Sequence, residues 1–354
     1  MSHIACLLSG GVDSSVALWK LKESGHQRIR AYYLKIWLED ELSYLGNCPW
    51  EEDLAYARQV CAQAGVPLEV VPLQREYYDR VVSYTIEELK KGRTPSPDIF
   101  CNQRIKFGAF LEAVDGEAER VASGHYAILE NDSAGRRRLR RSPDPVKDQS
   151  YFLFHLSQQQ LRRITFPLGA MEKREVRSRA EELELPNRER PDSQGICFLG
   201  KIKYPEFVRY YLGQRPGEIR EAGTGRLLGT HQGSWFYTIG QRQGLGLGNG
   251  PWYVVEKRFE ENVVYVAHAE RVAERSRREL TIGELTWLTE EPGEGRFLTK
   301  LRHGPVLTPV TVRRGQNPGE LHLTLDEADR GIAPGQFAVL YDGEYCLGGG
   351  TILE

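Results

Sequence analysis

Ser9-Gly10-Gly11-Val12-Asp13-Ser14-Ser15 follows the apolar run His3-Ile4-Ala5-Cys6-Leu7-Leu8 and precedes a helical stretch that Gly25 closes. A strand-to-helix junction of this kind aims several backbone N–H groups and the positive end of a helix at one spot, which favours an anion. The paired glycines permit a tight turn and the close approach of a phosphate, while Ser9, Ser14 and Ser15 add hydroxyl donors. A Walker A loop would end in Gly-Lys-Ser/Thr, which is absent here. The plainer reading, a Gly-Gly turn capped by Asp or Ser, is common by itself but leaves the conjunction of these residues in this setting unexplained.

Working outward, short β-rich runs alternate with amphipathic stretches as far as about position 125, the signature of βαβ units and a parallel sheet. Strands are expected at 3–8, 29–36, 68–73 and 120–123, and helices at 15–24, 49–64 and 77–91. Gly25 and Gly65 stand where left-handed helix caps belong. After about position 205 Gly-rich turns separate strand-like runs. Asp342-Gly343 lies between two of them and is a strong hairpin signal. The expected class is α/β with a doubly wound parallel sheet over 1–205, then a small Gly-rich β domain over 206–275 and a C-terminal β-barrel over 276–354.

The chain has 354 residues, 40% hydrophobic and 27% charged, enough for two or three ordinary globular domains. No apolar run approaches the roughly 18 residues of a membrane span. The first residues lack the basic segment and cleavage site of a secretory signal, so a cytoplasmic location is expected, with an organellar one after loss of a transit peptide as the alternative. A net charge of −2 gives no global pull on nucleic acid. A local basic run, Arg136-Arg137-Arg138-Leu139-Arg140-Arg141, could contact RNA or could be a solvated arginine-rich loop.

Six cysteines, at 6, 48, 61, 101, 197 and 346, show no C-x-x-C spacing and are too sparse for a disulfide framework. Cys101 follows Thr94-Pro95-Ser96-Pro97-Asp98-Ile99-Phe100, in which Pro-x-Pro stiffens the backbone ahead of a helix expected from about Gln103. Asp98, three residues before the thiol, can accept or donate a proton, and a cysteine at a helix start tends toward the thiolate. A buried cysteine at a Pro-bounded helix entry is the plain alternative. Cys197 lies in Asp192-Ser193-Gln194-Gly195-Ile196-Cys197-Phe198, a polar turn. Two distant cysteines on a nucleotide domain suggest a pair that cycles through persulfide and disulfide. Cys6 and Cys61 read as core residues, and Cys346, in a terminal strand, and Cys48, before a Pro-started helix, are given no catalytic role.

SGGVDSS resembles the loop of the PP-loop ATP pyrophosphatases, which cleave ATP to AMP and pyrophosphate to activate an oxygen. With GRTPSPDIFCNQRIKFG, SGHYA, KDQSYFL, DSQGICFLG, GTHQGSWFYTIGQRQGLGL and PGQFAVLY, it makes seven motifs that resemble, in order, the tRNA-specific 2-thiouridylase family. The resemblance implies formation of 2-thiouridine at the wobble position of tRNAs with Lys, Glu or Gln type anticodons, using ATP, magnesium and sulfur from a persulfide donor protein. It implies an ATP site of Leu7, Leu8, Ser9, Gly10, Gly11, Val12, Asp13, Ser14, Leu34 and Gly124, with Asp13 helping to organise magnesium. Cys101 would be the nucleophile paired with Cys197, which would accept the persulfide, and Asp98 would stand beside them. Ser96, Pro97 and Asp98 would meet the target base, and His125, Lys147, Asp148, Gln149, Arg302, His303 and Gln336 would contact tRNA.

This sequence departs from the family's pattern at Ser96, where asparagine is expected, at His303, where tyrosine is expected, and over 37–50, where the donor protein would dock. Two rivals carry different chemistry. A PP-loop amidotransferase or ligase would not need both cysteines, and an RNA-binding or redox-sensing protein would release no pyrophosphate. An iron-sulfur cluster held by Asp98, Cys101 and Cys197 is an alternative use of the same residues.

Overall fold

The computed structural model describes residues 3–36, 50–192 and 203–353. β1 (His3–Leu7) runs between β2 (Ile29–Lys35) and β4 (Ala118–Ala122), with β3 (Leu68–Pro72) outside β2. After the hairpin of β5 (Ala127–Asn131) and β6 (Arg137–Arg141), β7 (Ile164–Thr165) completes a parallel sheet of order β3-β2-β1-β4-β7. The chain winds to one side of β1 and then to the other. The crevice beyond the carboxyl end of β1 is therefore the switch point at which such sheets bind ligands.

Both faces of the sheet are covered, as a doubly wound fold requires. Helices Val12–Glu23 and Trp50–Ala64 bury Leu18, Leu21, Leu54, Ala57 and Cys61 against Ile4, Cys6 and Ala31. Tyr77, Val81, Phe107 and Phe110 cover the opposite face with Tyr32 and Val121. Helix Lys173–Glu182 packs Val176 and Ala180 onto Val16 and Ala17. Gly25 and Gly65 adopt φ of 83° and 64°, the left-handed geometry their positions called for.

Two helices are wider than the sequence suggests. Residues 74–90 form one continuous helix that takes i→i+5 form over Tyr78–Val82. Residues 97–113 do the same over Cys101–Ala109. Pro97 opens that second helix, so Cys101 lies a turn inside it rather than ahead of a helix beginning at Gln103.

In the middle region β8 (Gly217–Glu221), β9 (Leu227–His231), β10 (Trp252–Arg258) and β11 (Val263–His268) form a sheet of order β10-β11-β8-β9. β12 (Arg277–Trp287), β13 (Gly295–Lys300), β14 (Thr308–Arg314), β15 (Leu321–Asp329), β16 (Phe337–Asp342) and β17 (Tyr345–Ile352) close into a barrel through the β12–β17 pairing. Closure leaves no free edge in the ring. Gly343, with φ 54°, turns β16 into β17.

The basic run 136–141 is neither a solvated loop nor an open RNA face. It forms β6, which pairs Arg140 with Tyr345 and Leu139 with Cys346 and so joins the first domain's hairpin to the barrel. Arg136 binds Asp132 and Glu290, Arg140 binds Glu130, and the Arg138 guanidinium lies 3.5 Å from the centre of the Tyr345 ring. Its charge is largely consumed inside the fold. Among the described residues no helix is long and apolar enough to cross a membrane.

Candidate active site

The Ser9 loop leaves β1 at the switch point, on top of buried Leu7, Leu8 and Val12. Ser14 Oγ accepts from the Ser9 amide at 3.2 Å and donates to the Gly11 carbonyl at 2.9 Å, while Ser15 Oγ donates to the same carbonyl at 3.0 Å. Gly10 has φ 77°, and a Cβ there would stand 2.2 Å from the Asp53 carbonyl oxygen, so only glycine fits. A Cβ on Gly124 would come within 3.0 Å of the backbone at Asp13 and Ser14. Leu34 is partly buried near the end of β2.

A segment that the sequence reading left without a role braces this loop. Asn187 Nδ2 donates to the Gly10 carbonyl at 2.8 Å and to Ser15 Oγ at 2.9 Å. Arg190 donates to that carbonyl at 3.0 Å and to Asp53 Oδ1 at 2.7 Å, and its guanidinium lies over the Tyr56 ring. Arg190 and the residues around it wall a cavity of about 620 Å³ lined by Ser9, Gly11, Asp53, Tyr56, Arg190 and Asp192. That volume is within the range filled by cofactor-sized ligands.

Asp13 and Asp192 are joined by one ammonium. Lys173 Nζ lies 2.6 Å from Asp13 Oδ1 and 2.8 Å from Asp192 Oδ1. Lys147 reaches Asp192 Oδ2 at 2.5 Å, and Arg177 donates to its other oxygen. Burial opposes a charge on Asp192, but hydrogen bonds from Lys147 and Lys173 overcome it and hold the carboxyl far below the usual range. Burial, reinforced by Asp13, pushes the Tyr126 phenol up, so it keeps the proton it donates to Asp13 Oδ1 at 2.7 Å. Lys173 and Arg177 share a helix face four residues apart, the one local hint of a convergent basic site.

Cys101 is buried in the core beside Phe100. The next residue, Asn102, connects it to the loop: Asn102 Oδ1 is 3.1 Å from His125 Nε2, and His125 follows Gly124. Ser123 Oγ is 2.8 Å from His125 Nδ1. Burial, with Lys106 adding to it, holds the imidazole well below its ordinary pKa, so the ring is neutral. The Asn102 amide is oriented by donating to the Phe152 carbonyl, which makes His125 Nε2 the donor to Oδ1 and Nδ1 the acceptor from Ser123. The Asn102 position, segment 123–125 and the Ser9 loop are thus neighbours in space. Cys197 and Cys48 lie outside the described residues, as does the stretch 37–49.

Pro97 is buried and Asp98 occupies the first turn of its helix, while the Ser96 amide donates to the Tyr84 hydroxyl at 3.3 Å. The Thr94 amide donates to the Pro334 carbonyl at 2.8 Å, placing this segment against the barrel next to Gln336, which pairs through its backbone with Ile352. His125, Asp148 and Gln149 are turned into the protein. Asp148 is fully buried with Lys300 at 2.7 Å and Arg141 at 3.3 Å, and Gln149 Oε1 accepts from the Tyr126 amide. Arg302 forms two bonds to Asp329, of 2.9 and 2.7 Å, and remains half exposed, whereas the His303 ring stacks on Phe152 at 4.8 Å.

Among the described residues no group of three His, Cys, Asp or Glu side chains is arranged to hold a metal. Burial pushes the thiol of Cys61 up to about 11, and raises those of Cys6 and Cys346 further, so all three stay protonated.

A parallel α/β sheet with a serine-glycine anion loop at its switch point, followed by two β domains, defines a nucleotide-handling enzyme of the PP-loop class. Family profiles agree with this layout: a tRNA methyl transferase HUP domain matches residues 2–201, a tRNA methyl transferase PRC-barrel domain 205–268, and an aminomethyltransferase beta-barrel domain 277–352. The chain is 44% identical to the tRNA-specific 2-thiouridylase MnmA of Parabacteroides distasonis, over 99% of both chains. It is likewise 44% identical to MnmA 1 of Bacteroides thetaiotaomicron and 41% to MnmA of Porphyromonas gingivalis, again over 99% of each. The chain belongs to the tRNA-specific 2-thiouridylase family and is a tRNA sulfurtransferase. Among solved structures, the U34-tRNA thiolase NcsA from Methanococcus maripaludis with its [4Fe-4S] cluster aligns with a TM-score of 0.33 and 19% identity, over 59% of this chain and 71% of that one, too slight a likeness to bear on the chemistry.

Proposed function

We propose that this chain replaces O2 of the wobble uridine in tRNAs of Lys, Glu and Gln type with sulfur, consuming ATP at the Ser9 loop. The uridine O2 attacks the α-phosphorus of ATP and pyrophosphate leaves. The terminal sulfur of a persulfide on Cys197 then bonds to C2 as AMP departs with the oxygen. The Cys101 thiolate supplies the electron pair by attacking the Cys197 sulfur, which leaves a Cys101–Cys197 disulfide. A thiol reductant returns the pair to thiols, and a persulfide donor protein reloads Cys197.

The observation that carries this reading is the Asn102–His125–Gly124 connection, which sets the Cys101 helix against the Ser9 loop. Asp192, bound through Lys173 to Asp13 of the same loop, stands five residues before Cys197 in the sequence. Asp13 is the carboxylate at hand for a magnesium ion that screens pyrophosphate, and Asp98 is a proton carrier one helical turn from Cys101. Ser96, Pro97, Gln336, Arg302 and His303 lie on or beside the barrel face that would receive the anticodon. Asp148 serves tRNA binding from within, by holding that face to the nucleotide domain through Lys300, while His125, Lys147 and Gln149, bonded to Asn102, Asp192 and Tyr126, would act on tRNA from the nucleotide domain itself. We place the domain boundaries near 205 and 276.

Separate Cys101→Ser and Cys197→Ser variants test the mechanism through the 2-thiouridine content of tRNA, measured by nucleoside mass spectrometry. Both are expected to lose thiolation while keeping tRNA-dependent pyrophosphate release; full thiolation in either one overturns the persulfide-disulfide route. An iron-sulfur route would instead show a charge-transfer band in active protein prepared without oxygen.

A further inference from the structure

The wide helix that carries Cys101 is held by side chains from outside it. In i→i+5 form a helix is locally looser than an α-helix, and such turns occur mainly as short insertions, frequently at functional sites. Here the form extends over Cys101–Ala109. Gln160 Nε2 donates to two carbonyls of that stretch, Gln103 at 2.8 Å and Phe107 at 2.6 Å. Its Oε1 accepts from the Ser157 amide at 2.9 Å, which fixes the donor end of the side chain. From the other side Arg80, in the other wide segment, donates to the Arg104 carbonyl, and Arg104 donates back to the Arg80 carbonyl at 2.8 Å. Gly108 completes the fit, since a Cβ there would stand 2.8 Å from the Gln103 oxygen.

The consequence reaches the thiol through register. Phe107, whose carbonyl Gln160 holds, packs against both His125 and Phe166, and His125 is also the partner of Asn102. A return of the helix to i→i+4 form would rotate Cys101 and Asn102 relative to Phe107, so they could not all keep their present partners.

We infer that Gln160 is a positioning residue for Cys101: its two bonds to the Gln103 and Phe107 carbonyls keep the helix in the wide form that sets Asn102 on His125 and fixes the register of the neighbouring Cys101. The inference rests on the reading of Cys101 as a sulfur-handling thiol. Gln160 itself touches no substrate.

Gln160→Glu removes the two donors but keeps an acceptor for the Ser157 amide, and Gly108→Ala attacks the same geometry from within the helix. The expected result for each is a thiolation kcat lowered about tenfold, as for one or two lost hydrogen bonds, with KM for ATP and tRNA changed less than about twofold. Amide hydrogen exchange in the peptide 101–113 should quicken in both. Unchanged kcat with faster exchange overturns the positioning role, and unchanged exchange overturns the claim that Gln160 holds the helix. If Gln160→Glu fails to fold, Gly108→Ala carries the same two readouts. Cys101→Ser measured alongside separates the layers: wild-type thiolation there removes the role of Cys101, and with it the positioning role, while exchange still reports the hold on the helix.

Discussion

Asp148 and Asp192 each gather several cations, yet their surroundings make them different devices. Asp148 and its partner Lys300 both have side chains of 0% exposure, with Arg141 and Ser150 completing the cluster. The cluster joins β6, β13 and the loop after β6, so it ties the nucleotide domain to the barrel. Asp192 is 29% exposed at the rim of the cavity, with Lys147, Lys173 and Arg177 around it. A pair wholly removed from water persists only if every member stays, because an orphaned buried charge costs several kcal/mol. A cluster that water can reach lets a partner exchange at little cost, which suits a place where a ligand's charge must be accommodated.

The sharpest way to break this contrast is Asp148→Ala, which should lower the unfolding free energy by about 3–5 kcal/mol, read by urea denaturation, because Lys300 is left buried without its carboxylate. The paired change Asp148→Leu with Lys300→Met should recover part of that loss, because Arg141 and Ser150 still lose their acceptor. A cost below about 1 kcal/mol for the single variant would mean that the buried cluster does not hold the domains together.

Asp192→Asn should behave in the opposite sense, costing about 1 kcal/mol or less in stability while lowering kcat/KM for ATP about tenfold, because three cations beside the cavity lose their shared anion. Added salt should shrink the stability cost of Asp192→Asn and leave that of Asp148→Ala nearly unchanged, since screening acts on charges that solvent reaches.

The remaining expected effect comes from pH. His125 is neutral in the folded protein because burial and Lys106 hold its pKa well below the ordinary 6.5. The unfolded chain takes up a proton at this residue below about pH 6.5 and the folded one does not, so stability is complete above that pH and declines as acid is added. Each such group contributes a slope of about 1.4 kcal/mol per pH unit. His125→Gln should flatten the decline by that much, measured as unfolding free energy between pH 7 and 5. Asp192 works over a more acidic window, because its depressed carboxyl stays charged, and its contribution fades only as pH falls through that lowered value.

Much of the fold was legible in short stretches. The Ser9 loop, the glycine caps at 25 and 65, and the Asp342-Gly343 hairpin depend on residues within a few positions of each other, and each stands where the sequence put it. The run 136–141 was not legible, because its fate rests on Tyr345 and Glu290, far along the chain. Because Pro97 looks like a boundary, the sequence suggests that Cys101 lies before a helix. Pro97 instead opens the helix, as proline can where its missing N–H is not needed. Asn187, Arg190, Lys173 and Arg177 were missed for the reason that applies to any polar residue on an ordinary amphipathic or loop segment: nothing local distinguishes a charge that will converge on a cavity from one that will face water.

The sequence by itself determined the class of fold, the anion loop and the family, since these rest on backbone conformations and ordered motifs that neighbouring residues dictate. Tertiary structure decided which of the marked polar residues face solvent and which are interior. His125, Asp148 and Gln149 turned inward, and the helix around Cys101 widened under the hold of Gln160. The physical reason is that the energy of a charge or a hydrogen bond is set by the water it loses and the partner it gains, and both arrive only when distant segments pack.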